Sequence, residues 1–114
     1  MTMPETEDNA IREIHFFIVN NYIQGFKIKD LLAKYPISSS TLRRGFKLIY
    51  GESIDRFRLR LSMQTARKML ESGHQVKEVS LELGYKTAGS FARAFKKIFG
   101  VTPMYYSRGF LKSD

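Results

Sequence analysis

The residues of this chain that could do chemistry occur in a pattern that is written twice. Leu42, Arg44, Phe46, Lys47, Ile49 and Gly51 return 49 residues later as Phe91, Arg93, Phe95, Lys96, Ile98 and Gly100. On a helical period of 3.6 residues, turning Leu42, Phe46 and Ile49 inward points Ser40, Arg44 and Lys47 outward, with Arg43 on the shoulder. The second copy turns Phe91, Phe95 and Ile98 inward, so that Gly89, Arg93 and Lys96 face out, flanked by Ala92 and Lys97. Exposed helices of this kind, small at the tip and cationic along the face, suit a polyanion. Their first residues can reach base edges in a DNA major groove, and small side chains let phosphate or bases approach the amide ends. A charged stripe is more usually just the wet face of an amphipathic helix. Its repetition at matching positions favours DNA contact by Arg44 and Arg93, while Lys47, Lys96 and Lys97 suit phosphates.

The elements that must position these residues follow from the apolar spacing. Ile11, Ile14, Ile18 and Tyr22 predict a helix over 10–22, with Asp8 or Asn9 as its N-cap and Gly25 as its stop. Ile28, Leu31, Leu32 and Tyr35 predict a short helix that ends near Pro36, where Pro36 and Ile37 form a turn. The run Ser38, Ser39, Ser40 offers caps for the helix that Gly51 closes, and Thr87 offers one for the helix that Gly100 closes. Ile54, Phe57, Leu61, Ala66, Met69 and Leu70 sustain a longer helix to Ser72, with Gly73 after it; Val76, Val79 and Leu83 mark a short helix before Gly84. Ile28 to Leu31 matches Val76 to Val79 at an offset of 48, so the second copy gains one residue, which is assigned to its turn. The expected fold is all-α: two helix-turn-helix units, about 28–51 and 76–100, joined by a linker helix over about 54–72. Residues 1–9 are expected to be a flexible lead and 109–114 a tail around a domain spanning 10–108.

Composition narrows the function. The chain has 114 residues, a formal net charge of +8 and a sequence pI of about 9.9. Residues 1–42 hold four Lys or Arg against five acids, so the basic surface begins at Arg43. Such a balance favours nucleic acid or an acidic membrane surface. There is no cysteine, hence no disulfide, thiolate nucleophile or cysteine metal site. The longest apolar run, Phe16 to Val19, is too short to span a membrane, and the acidic start resembles no signal peptide, so a cytoplasmic protein is expected. His15 and His74 lack neighbouring ligand patterns, and neither a phosphate-cradling loop nor a nucleophile elbow occurs, so no enzyme, metal or cofactor is expected. The phenylalanines fall on the apolar stripes and are read as core rather than as stacking platforms.

The stretch from Leu83 to Pro103, LGYKTAGSFARAFKKIFGVTP, resembles the signature region of AraC/XylS-type transcription regulators. The first copy, Leu31 to Gly51, and the linker around Arg60, Leu61 and Ala66 extend the resemblance over about 10–108. It implies seven helices, with two recognition helices entering successive major grooves roughly 34 Å apart. The family's base-reading positions fall on Ser40, Arg43 and Arg44 in the first unit, where Ser39 and Lys47 complete the candidate DNA-binding set from the reading of the helix itself. In the second they fall on Ala88, Gly89, Ser90, Ala92 and Arg93, with Lys96 and Lys97 added as phosphate candidates from the exposed face. Departures from the pattern are Pro36 in place of a turn glycine, Gly45 within the first recognition helix, and Ser107 where arginine is usual. Ala88, Gly89 and Ala92 offer no hydrogen bond, so readout by the second unit falls to Arg93 with Ser90, aided by thymine-methyl contact and DNA shape.

The expected partner is double-stranded DNA, with RNA polymerase as a second candidate, no membrane, and a monomeric isolated domain. A stand-alone regulator and the C-terminal domain of a larger ligand-responsive protein both fit. The rival classes are a non-specific basic protein that coats nucleic acid and a module that docks on a protein partner. Arg56, Arg58 and Arg60 crowd the start of the linker helix, where they serve either DNA or the fold.

Overall fold

The computed structural model describes residues 5–23 and 26–112. Among them are seven helices and no strand: α1 (Glu5–Asn21), α2 (Ile28–Leu32), α3 (Ser39–Tyr50), α4 (Ile54–Glu71), α5 (Val76–Glu82), α6 (Ala88–Phe99) and α7 (Pro103–Lys112). The chain divides into two units, residues 1–58 and 59–114, and α4 runs through the division.

α1 starts a turn earlier than its apolar pattern suggested. Asp8 is not a cap but lies inside the helix, where its carboxylate accepts from Arg12 Nε at 3.1 Å, one helical turn on. Such i, i+4 pairs support a helix without any apolar signal. The expected stop at Gly25 lies outside the described residues. At the other end α7 continues to Lys112, past the boundary expected near 108.

In the first unit Ile11, Ile14 and Ile18 of α1 are buried with Leu31, Ile37, Leu42, Phe46, Ile54 and Phe57. His15 is stacked between rings: 4.0 Å from the Tyr50 centroid, nearly parallel, and 4.8 Å from that of Phe57. This histidine is therefore a packing residue, and burial lowers its pKa below the usual value. The core of the second unit is Met63, Ala66, Leu70, Val79, Phe91 and Phe95, with Leu59, Ile98, Phe99 and Tyr106 packed against it. α4 thus carries two apolar stripes, one for each unit. Read as a single stripe, the sequence puts Leu61 inside, yet Leu61 is half-buried and Met63 is the fully buried residue.

The two units end their first helices differently. α2 stops at Leu32, and an inverse γ-turn about Pro36, with Ile37 N donating to Tyr35 O at 2.8 Å, turns the chain toward α3. α5 is two residues longer and closes at Gly84, where Gly84 N donates to Leu81 O and Tyr85 N to Ser80 O, each at 3.0 Å. The extra residue of the second copy is therefore taken up by α5, and its turn is the shorter of the two.

α3 and α6 are built alike. Ser38 Oγ accepts from Thr41 N at 3.2 Å, and Thr87 Oγ1 accepts from Ser90 N at 3.1 Å. Both helices end in a left-handed glycine, Gly51 at φ 79° and Gly100 at φ 78°, a conformation that costs other residues energy. Ser38→Ala and Thr87→Ala are each expected to lower unfolding free energy by about 1 kcal/mol in urea titrations. His15 adds a pH dependence. Its folded pKa lies below the unfolded value, so its stabilising contribution is complete above about pH 6.5 and is lost as pH falls through the folded pKa. Urea midpoints are expected to fall between about pH 7.5 and 5.5 in the wild type, and His15→Phe to flatten that slope.

Candidate nucleic-acid interface

In the first unit Ser39, Ser40, Arg43, Arg44 and Lys47 are all exposed: Ser40, Arg44 and Lys47 on the side of α3 away from buried Leu42, Gly45 and Phe46, Arg43 on the shoulder, and Ser39 at the helix's first turn. Gly45 lies on the buried face, at a helix-propensity cost of about 1 kcal/mol against alanine. Arg43 is not a freely moving cation: its Nη1 donates to Asp55 Oδ2 on the first turn of α4 at 3.0 Å. Leu48, one turn beyond Arg44, is 73% exposed, where the second copy has Lys97.

In the second unit Ala88, Gly89, Arg93, Lys96 and Lys97 are exposed, and Phe91 and Phe95 are buried beneath them. Gly89 lies beside the Arg93 guanidinium, with room for a methyl at ordinary contact distance. A Cβ there would lie 3.7 Å from Arg93 Nη1, so the guanidinium folds back along the helix toward its N-terminal tip. That tip is the part of a recognition helix that reaches base edges. Ser90 takes part in the cap of its own helix. It is half-buried, and its hydroxyl donates to Thr87 O and accepts from Thr87 Oγ1, both at 3.0 Å. Ala92 is half-buried as well. The exposed hydrogen-bonding cation on the N-terminal half of α6 is Arg93. Lys47 on α3, and Lys96 and Lys97 on α6, stand in the last turns, where cations complement the helix dipole.

Four positioning contacts have no local signature in the sequence. Asp55 meets Arg43 across twelve residues. Ser80, buried on α5, donates to Thr87 O at 3.3 Å and thereby ties α5 to the residue that caps α6. Arg58 lies over the Phe26 ring, 4.0 Å from its centroid, and its Nη2 donates to Phe26 O at 3.0 Å. Burial lowers the Arg58 pKa, and the side chain is spent on holding the segment before α2. Of the arginines at the start of α4, this one serves the fold. In the second unit Tyr106 donates to the Glu71 carboxylate, which also faces Arg67 Nε at 3.6 Å, joining α7 to α4. This hydrogen bond raises the Tyr106 pKa. Among the described residues no group of three or more His, Asp or Glu could hold a metal ion, and no helix is long and apolar enough to cross a membrane.

Two capped, cation-faced helices, each following a shorter helix and a turn, define a double helix-turn-helix domain of the DNA-binding class. A family model described as a helix-turn-helix domain matches residues 31–109, and the chain belongs to that family, in its AraC-type branch. The chain is 30% identical over 93 residues to the raffinose operon transcriptional regulatory protein RafR of Pediococcus pentosaceus, covering 81% of this chain and 34% of RafR. It is 31% identical over 100 residues to the xylose operon regulatory protein of Escherichia coli K12, covering 87% of this chain and 26% of that protein. The chain thus spans about a third or less of these two relatives, both transcriptional regulators. Among solved structures, it is similar to a probable AraC family transcriptional regulator from Rhodopseudomonas palustris, with a TM-score of 0.76 and 28% identity over 90% of this chain and 97% of that one. The DNA-binding domain of AdpA, solved in complex with a target DNA, shares the fold at TM-score 0.78 and 20% identity, over 89% of this chain and 92% of that one.

Ser80→Ala is expected to cost about 1 kcal/mol of stability by removing the bond to Thr87 O. Amide exchange at Ser90 and Phe91 should quicken in the same variant, because their N–H groups depend on Thr87.

Proposed function

We propose that this chain binds a specific double-stranded DNA site through α3 and α6, and thereby regulates transcription. The observation that carries the proposal is the duplicated recognition surface: Arg44 and Arg93 at equivalent exposed positions, each one turn behind a small residue, Ser40 and Gly89. In this reading the two helices enter successive major grooves. Arg44 and Arg93 read base edges, preferentially guanine, with Arg43 and Ser40 adding contacts in the first half-site. Ala88, Gly89 and Ala92 allow close approach in the second, and Ser39, Lys47, Lys96 and Lys97 meet phosphates. Ser90 acts by holding the tip of α6 in shape. The setting is the bacterial cytoplasm, with the isolated domain a monomer and RNA polymerase a second partner. A non-specific coating protein would need neither the matched caps nor the matched arginine positions, so the duplicated geometry favours specific readout.

Selection from randomised duplex DNA tests the proposal. A bipartite site is expected, with halves about one helical turn apart and bound at least about 10³-fold tighter than a scrambled duplex. Arg44→Ala and Arg93→Ala should each cost about 1 to 3 kcal/mol on that site, while Lys96→Ala weakens both duplexes alike and lowers the salt dependence by about one counterion. Equal losses on specific and scrambled DNA for both arginines would refute base reading, and failure to enrich any site would leave the non-specific class standing.

A further inference from the structure

We infer that Asp55 is a specificity-determining positioning residue, which holds the Arg43 guanidinium for base reading in the first half-site; this rests on the function proposed above. The pair joins two helices of the same unit, Arg43 Nη1 on α3 donating to Asp55 Oδ2 on α4 at 3.0 Å. Both side chains are well exposed, 48% for Arg43 and 65% for Asp55, so the ion pair contributes little to stability in water. A stability role is therefore a poor reason for the contact, whereas its place beside the recognition surface has consequences for binding.

The backbone that carries Asp55 is fixed. Ile54 is fully buried at the start of α4, and Ser53 Oγ accepts from Arg56 N at 3.1 Å, so the first turn of α4 is anchored from both sides of Asp55. A carboxylate only accepts hydrogen bonds, and it repels phosphate. Anchored next to Arg43, it does two things at once. It restricts the rotamers of a long side chain that otherwise loses that freedom on binding, and it disfavours a phosphate as the arginine's partner relative to a base edge. A guanidinium held at one nitrogen still presents further N–H groups, enough for the paired contact to guanine O6 and N7. When DNA covers the pair, water is displaced and the Arg43–Asp55 attraction strengthens.

The second unit has no charged pair at the equivalent positions. At the offset of 49, Arg43 corresponds to Ala92 and Asp55 to Met104, neither of them charged. The effect of Asp55 must therefore appear in one half of the bound site and not in the other. Asp55 also has an alternative role, as an acid in the first turn of α4 complementing the helix dipole, which makes no reference to Arg43.

The test measures binding of the selected duplex and its scrambled control by wild type, Asp55→Ala, Asp55→Asn, Arg43→Ala and the double variant. Asp55→Ala is expected to bind the selected duplex at least about fivefold more weakly while binding the scrambled duplex as well as wild type or up to about threefold tighter, since a repulsive charge is gone. Asp55→Asn, which keeps a hydrogen-bond acceptor, should fall between. In the Arg43→Ala background, removal of Asp55 should no longer weaken binding to the selected duplex. Repeating the selection with Asp55→Ala and with Arg43→Ala should lose base preference at the same position, confined to one half-site. The inference is overturned if Asp55→Ala weakens both duplexes equally, if its effect persists without Arg43, or if it tightens both duplexes equally. A wild-type chain that prefers no duplex would overturn the function proposal and this inference together, whereas a clear wild-type preference unchanged by Asp55→Ala overturns the inference alone.

Discussion

Burial of aromatic side chains on one stripe of α3 and of α6 is the constraint on which the rest depends. Phe46 in the first unit, and Phe91 and Phe95 in the second, are fully buried, and each removes enough apolar area from water to be worth several kcal/mol. Once those rings face inward, the helical period leaves no choice about where Arg44, Lys47, Arg93 and Lys96 face. Recognition chemistry is thus presented by the same packing that stabilises each unit. The caps at Ser38 and Thr87 and the glycines at Gly51 and Gly100 then set where each exposed helix begins and ends.

The two units share this plan but solve local problems separately. The first turns at Pro36, keeps a hydrogen-bonding tip on α3, and pairs Arg43 with Asp55. The second closes α5 at Gly84, has a small-residue tip, and places Arg93 beside Gly89. Readout in the second unit consequently leans on one arginine and on shape, while the first has several polar side chains available. α4 contributes to each unit with a different set of residues, Ile54 and Phe57 for one and Met63, Ala66 and Leu70 for the other.

Much of this was legible because it is local and periodic. The repeat, the caps at Ser38 and Thr87, the glycine stops and the inward phenylalanines are all statements about residues within a turn or two of each other. The sequence pattern misleads where a contact at longer range, or a change of phase, decides the structure. Asp8 looked like a cap because the support it gives α1 comes from Arg12 rather than from an apolar pattern. Leu61 fits a single apolar stripe along α4, whereas the helix carries two. The part Ser90 plays in the cap of α6, through hydrogen bonds to Thr87, is not visible in its residue type alone. Asp55 with Arg43, Arg58 with Phe26 and Ser80 with Thr87 depend on which helices meet, and no spacing rule reveals them.

Hydroxyl-radical footprinting on the selected duplex tests most directly whether two equivalent recognition helices do the reading. Two protected patches on one face of the DNA, about ten base pairs apart, are expected, with Arg44→Ala weakening one patch and Arg93→Ala the other. A single patch, continuous protection without phase, or loss of the same patch in both variants would contradict the duplicated interface.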